Sequence, residues 1–282
     1  KEQIRALLTA LFLSGLGVAV ISFWYALSGD LTYDGRLKAF YLSPNHLAMY
    51  LAPIFVLSLG LWKFLKTNWQ KILLLTSCFL LLTSIYLTYS YGAWLGLIVA
   101  IGFLITKKQR SVLCKNRGQT FVFWFSVLLV VVFIFFQLPT QKAQNLFQFS
   151  GSSLESRLMV WQAALEIIKD HPLVGVGPGM FQKYYLEYQP KLKPYLEWAA
   201  PQPHNLFLAF WLQTGLLGLI GFFWLLIVFF RKFGKFGSLA PNVWELSSQI
   251  QVILGAAMIY ILIHGLVDTT YWKNDLAIIF WL

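Results

Sequence analysis

Charge is scarce in this sequence. Only 12% of its 282 residues are Asp, Glu, Lys or Arg, against about 25% in an ordinary soluble domain. That shortage excludes a water-soluble globular fold with a fully solvated surface. Cysteine is scarcer still. Cys78 lies inside an apolar run and Cys114 in a basic connector, which excludes a disulfide framework and a paired-cysteine metal site. A cleavable leader is not expected either, because the first apolar run is long and lacks a small-residue cleavage site. What the chain has in abundance is apolar length: 58% hydrophobic and 18% aromatic residues, with a mean hydropathy of +0.65. Runs of about 20 apolar residues place it among polytopic membrane proteins.

Eight hydrophobic spans are expected, over about 6–27, 47–65, 72–88, 92–106, 119–137, 205–230, 247–266 and 276–282. The third and fourth are tight, with a turn at Ser90-Tyr91-Gly92 between them. A single broken or re-entrant element is the alternative there. The chain begins at Lys1 and ends at Leu282 inside an apolar run, so it reads as a fragment of a longer protein. The expected fold is an all-α membrane bundle in three parts. Residues 1–137 form amino-terminal helices, 138–203 one large polar loop, and 204–282 carboxy-terminal helices.

The charges that exist are segregated. One set of connectors carries thirteen basic residues against Glu2 and Glu245 alone, and the other set carries nine basic and nine acidic residues. The whole net charge of +11 therefore falls on one face. The positive-inside rule makes that face cytoplasmic, where it meets anionic lipid. Nucleic acid is not the expected partner, because the basic loops are short and lack interleaved aromatics. The polar loop then faces outward, and with it His46, His171, His204, His264, Asp30, Asp34, Arg36, Arg157, Asp170, Asp268 and Asp275.

Within that loop, Ser152 followed three residues later by Glu155 forms a capping box. Leu154, Leu158, Trp161, Leu165 and Ile168 recur at helical spacing. They predict an amphipathic helix over about 153–169, lying along the membrane surface or capping the bundle. Asp170-His171-Pro172 stops it. Arg157 on this helix is either a solvated face residue or an anion-binding group, since a guanidinium grips phosphate through paired donors.

The glycines of Val174-Gly175-Val176-Gly177-Pro178-Gly179 follow no strand and are not a dinucleotide fingerprint. They suit tight turns or a close approach of the backbone to a ligand. Tyr184, Tyr185, Tyr188, Tyr195 and Trp198 come next. Two readings are open for them, an interfacial belt and a sugar-stacking surface. His204-Asn205 then opens an apolar span. At the positive end of a helix dipole a histidine favours its neutral form, which accepts a proton as a general base does. The competing role is a structural cap supplied by His204 or Asn205.

Five stretches in this order carry a family resemblance: RLKAFYLSPNHLAMYLAP at 36–53, TYSYGAWLGL at 88–97, ESRLMVWQAALEIIKDHPLVGVGPGMF at 155–181, PHNLFLAFWLQTGLLGLIGF at 203–222 and HGLVDTTYWKNDLA at 264–277. Together they resemble the O-antigen ligase/polymerase family, which includes O-antigen ligases, polysaccharide polymerases and protein O-oligosaccharyltransferases.

The resemblance implies a metal-independent, cofactor-free glycosyltransferase in the bacterial cytoplasmic membrane, with its loop in the periplasm. The donor would be a glycan on undecaprenyl diphosphate, and the acceptor a hydroxyl of lipid A core, glycan or protein. Carried over by motif, His204 would be the base and Arg157 would hold diphosphate. Arg36 would be a second phosphate contact, with Asn45, Tyr91 and Asn205 as further substrate-binding positions. Many members carry an arginine in the turn where this chain has Tyr91, which offers one hydrogen bond and no charge.

An anion transporter of bicarbonate type is the reading from another class. It calls for ionisable groups or broken helices near the midplane, whereas here the polar groups gather at the outer edges of the spans. A non-catalytic scaffold is the third reading.

Overall fold

The computed structural model describes residues 2–108, 117–137, 144, 153–192, 198–235, 241–271 and 274–281. The described residues form helices joined by turns, with no strand among them. They comprise α1 (Glu2–Leu27), α2 (Pro44–Ser58), α3 (Asn68–Leu87), α4 (Tyr91–Lys108), α5 (Arg117–Gln137), α6 (Ser153–Asp170), α7 (Phe181–Tyr188), α8 (Leu206–Lys235), α9 (Pro241–His264) and α10 (Asn274–Trp281). Short 3-10 turns occupy Leu61–Phe64 and Gln189–Lys191.

Among the described residues, three helices are long and apolar enough to cross a membrane: Glu2–Leu27, Asn68–Leu87 and Leu206–Arg231. The apolar parts Tyr91–Thr106, Phe123–Gln137 and Ile250–His264 are shorter. Eight full-length spans are therefore more than the described helices show. The second expected span is cut by local chemistry. Ser43 caps α2 by accepting from the His46 amide, Pro44 fills the first turn, and the helix ends at Ser58 ahead of Gly60 and a 3-10 turn. The third starts earlier than hydropathy suggested, because Thr67 and Gln70 form a reciprocal capping box. The tight pair is two separate helices. The turn between α3 and α4 places Tyr89 in the left-handed region, with φ of 48°.

The chain divides into two compact units. The first holds α1 to α4, most of α5, α9 and α10. Its centre is α2, nearly all of whose residues are buried. α1, α3, α4, α9 and α10 pack around it. Small residues set the close approaches: a Cβ on Gly15 would meet Ile54 at 2.6 Å, and one on Gly96 would meet the Tyr260 ring at 2.7 Å. Such contacts suit apolar helices that associate by packing rather than by expelling water.

The second unit covers Phe136–Lys235 and Gly265–Trp272. Here α6 is helical over nearly the predicted range, and its protein-facing side is rotated from the predicted apolar stripe, of which Ile168 alone is buried. Met159, Val160, Ala163, Ala164, Ile167 and Ile168 pack against Phe181, Tyr185 and Leu212. Leu158 and Leu165 are exposed. The alanines explain the rotation, since their small side chains let α6 lie close to α8. Ser152 of the expected capping box lies outside the described residues, as does Tyr195.

α8 is broken at Gly215, whose φ of 71° and ψ of −174° leave the helix. The glycine-rich segment docks on the break. Val176 N–H donates to the Leu212 carbonyl at 2.6 Å, and Leu216 N–H donates to the Leu173 carbonyl at 3.1 Å. Residues 212 and 216 would pair with each other in a regular helix, so the segment satisfies both members of that pair. Gly175 and Gly215 are required for this. A Cβ on Gly175 would lie 2.3 Å from the Leu212 oxygen, and one on Gly215 would lie 2.1 Å from the Leu173 oxygen. At Gly175 the close approach is to the backbone of α8, where the expected partner of such a glycine was a ligand.

Candidate active site

The second unit brings Arg157 and His204 together through a residue that motif reading passed over. Asp268 is 1% exposed. One of its carboxylate oxygens, Oδ1, lies 3.2 Å from His204 Nδ1 and accepts from the Thr269 amide at 2.9 Å. The other, Oδ2, accepts from Arg157 Nη2 at 3.5 Å. A buried charge is tolerated when it is paired and hydrogen-bonded, and this carboxylate is both.

The surrounding backbone fixes the cluster. Asn205 caps α8: its Oδ1 accepts from the Phe207 and Leu208 amides, both at 3.0 Å. Its Nδ2 donates to the Leu266 carbonyl at 2.9 Å. Leu206 N–H donates to the Gly265 carbonyl at 2.7 Å, and the Thr269 hydroxyl bonds Gln202. Residues 202–206 and 265–269 are therefore laced side by side. His204 has a φ of 47°, a left-handed conformation uncommon outside glycine. Trp161 of α6 holds it there by donating Nε1–H to the His204 carbonyl at 3.2 Å.

With the cap supplied by Asn205, the His204 imidazole is committed to Asp268. A carboxylate only accepts hydrogen bonds, so this contact places the ring proton on Nδ1. In the neutral ring Nε2 then carries the lone pair. The His204 side chain is 35% exposed and that of Arg157 18%, so both can be reached from outside the fold. The arrangement can orient a proton acceptor, balance the imidazolium that forms, and present a guanidinium beside it.

His171 plays a different part. Its backbone N–H closes the last turn of α6 onto Ile167, and its ring meets Tyr184 edge-on at 5.2 Å. Of the aromatic run, Tyr185 is core and Trp198 is exposed. The Tyr188 hydroxyl donates to Asp170, whose carboxylate pushes the phenol up to about 12.

Arg36, Asn45 and Tyr91 lie in the first unit. Arg36 Nε–H donates to the Thr88 carbonyl at 2.7 Å, and Nη2–H donates to Asn45 Oδ1 at 2.8 Å. Asp34 lies 3.8 Å from Nη1. Leu37 N–H also donates to the Leu87 carbonyl, so the guanidinium sits on the C-terminal carbonyls of α3, where a cation is favoured. Asn45 positions Arg36. Tyr91 is the first residue of α4 and is half-buried. Among the described residues no group of three His, Cys, Asp or Glu side chains could hold a metal ion.

Apolar helices of membrane-crossing length mark a membrane protein, and a His–Asp–Arg cluster lies where one of those helices begins. Residues 76–223 match the family described as O-antigen ligase, and the chain belongs to that family. Its members are ligases and polymerases of glycosyltransferase type. The matched stretch contains Tyr91, Arg157, His204 and Asn205, and ends before Asp268. No curated protein matches the chain.

Proposed function

We propose that this chain is a membrane glycosyltransferase that moves a glycan from undecaprenyl diphosphate to an acceptor hydroxyl at the outer face of the cytoplasmic membrane. The observation that carries the reading is Asp268 bridging His204 and Arg157. The acceptor oxygen attacks the anomeric carbon of the donor sugar and gives its proton to His204 Nε2. The bond from that carbon to the diphosphate oxygen breaks, and undecaprenyl diphosphate leaves with the electron pair. Its charge is met by Arg157, a group preorganised where negative charge develops.

Asp268 is a positioning residue that fixes the His204 tautomer and stabilises the imidazolium, the logic of a buried aspartate behind a catalytic histidine. Asn205 is assigned to holding the His204 turn, with both ends of its amide on backbone groups. Arg36, bonded to Thr88 of the TYSYG turn, brings a cation to a turn whose own residue 91 is tyrosine. The charge asymmetry of the connectors supports the outward orientation.

The test is complementation of a ligase-deficient bacterial host with His204→Ala and Arg157→Ala. Loss of glycan transfer by both variants, at normal membrane abundance, is expected. Wild-type transfer by both rejects the mechanism.

A further inference from the structure

The segment docked on the broken helix has a consequence for the membrane. Leu206–Arg231 is a 26-residue apolar segment, and its unbroken helical part from Leu216 to Arg231 is about 24 Å long at 1.5 Å per residue. Hydrocarbon is about 30 Å thick. Measured from the basic end at Arg231, that part stops about 6 Å short of this thickness, so the far boundary lies beyond the break. The break at 212–216 therefore lies within about 6 Å of that boundary, on its hydrocarbon side. Residues 172–176 are bonded to the break at this depth, not to the exposed tip of the helix. Trp211 Nε1–H also donates to the Pro172 carbonyl at 2.9 Å, an indole in the position such rings favour at an interface.

The segment is built for that depth. Pro172 to Gly179 contains no charged side chain. Irregular backbone inside a bilayer must have its polar groups satisfied within the protein. Four of the segment's groups are met in this way: the Pro172 and Leu173 carbonyls accept from α8, Val176 N–H donates to it, and Gly175 N–H donates to the His171 carbonyl. Gly175 is pressed onto the backbone of α8. Leu173 and Val174 nonetheless remain 68% and 81% exposed, an unusual position for two aliphatic side chains on a segment so firmly bonded. On the same helix Leu217 and Trp224 are exposed to a similar degree, as residues facing lipid are.

We propose that residues 172–176 form a re-entrant wedge, with Leu173 and Val174 inserted among the acyl chains of the leaflet at the Leu206 end of α8. The wedge tethers α6, which carries Arg157 and ends at Asp170, to a fixed membrane depth. The proposal rests on reading Leu206–Arg231 as a membrane crossing, and not on the roles given to His204, Arg157 and Asp268.

The test is depth-dependent fluorescence quenching of the full chain in phosphatidylcholine vesicles. Cys78 and Cys114 are first replaced by serine. Single cysteines are then labelled with bimane at Val174→Cys, at Trp224→Cys within the span, and at the exposed Lys183→Cys. Lipids brominated near the glycerol end or near the methyl end of the chain serve as quenchers. Val174→Cys is expected to be quenched at least about twofold more than Lys183→Cys, and more by shallow than by deep bromines. Trp224→Cys is expected to respond to the deep ones. Quenching of Trp224→Cys without quenching of Val174→Cys overturns the wedge, whether water or protein covers the site. Absence of quenching at Trp224→Cys overturns the crossing itself. Leu173→Cys repeats the measurement should the Val174 variant fail to fold.

Discussion

Replacing Asp268 by asparagine keeps the shape of the residue and removes its charge. Its side chain is 2% exposed and faces His204, Arg157 and Thr269. At 3.5 Å from Arg157, its gross attraction is about 5 kcal/mol at an effective dielectric of 20. Desolvation offsets most of that, and the partly exposed guanidinium can turn to water. The expected net loss of stability is therefore only about 1–3 kcal/mol, below the range for breaking a wholly buried pair.

The kinetic effect is larger. An amide neither enforces the Nδ1–H tautomer nor balances an imidazolium. General-base catalysis is worth about 10²–10⁴ in rate, or about 3–5 kcal/mol of barrier. The Asp268→Asn variant should lose that factor in kcat, while KM for the donor changes less than about tenfold. The assay is release of polyprenyl diphosphate from a labelled lipid-linked glycan by the purified, lipid-reconstituted protein, with a melting curve as a folding control. Because Asp268 acts through His204, the double variant His204→Ala/Asp268→Asn should be no slower than His204→Ala alone. A folded Asp268→Asn protein within threefold of wild type, or a double variant that loses both factors in full, refutes the positioning role.

Three further outcomes follow from the packing of the second unit. Gly215→Ala puts a methyl into a left-handed position, 2.1 Å from the Leu173 oxygen. It should cost roughly 2–4 kcal/mol through backbone strain and the displaced segment, seen as a lowered melting temperature in detergent. Unchanged melting would contradict the docked geometry. Asn205→Ala removes the α8 cap and the bond to Leu266, for a loss of about 2 kcal/mol. Asn205→Asp keeps the cap oxygen and should fall between. The third concerns pH. Asp170 stabilises the protonated Tyr188 phenol in the folded state and raises it to about 12, so the contribution is complete below the ordinary value of 10 and is lost as pH rises through about 12. The absorbance difference between wild type and Tyr188→Phe should titrate near pH 12. A midpoint near 10 would show that the Asp170 contact is absent.

The membrane character and the helix over 153–170 were legible because both rest on short-range signals. Apolar length, the proline after His171 and the helical spacing of leucines are all local. Which face of α6 would be buried was not legible. The conspicuous Leu158 and Leu165 stay exposed, whereas the inconspicuous Ala163 and Ala164 make the contact, because closeness to α8 depends on small size rather than on hydrophobicity. The break at Gly215 was hidden inside an apolar run, since hydropathy does not record where a second segment will supply hydrogen bonds. Asp268 was visible only as one of several outward acids. Its 64-residue separation from His204 is closed by the pairing of 202–206 with 265–269, a tertiary feature with no local signature. The polar ring between Asp34, Arg36, Asn45 and Thr88 was half legible: the residues stood in motifs, but their mutual bonds required the α3–α4 turn and the start of α2 to meet.

The most direct test of the account uses purified wild-type, His204→Ala and Arg157→Ala proteins in vesicles containing an undecaprenyl-diphosphate-linked glycan and a hydroxyl acceptor, measuring the glycosylated product and the released carrier together. Wild type should form both in equal amount. His204→Ala should bind donor but turn over about 10²–10⁴ times more slowly, and Arg157→Ala should lose both binding and turnover. Equal turnover by all three folded proteins would contradict the account.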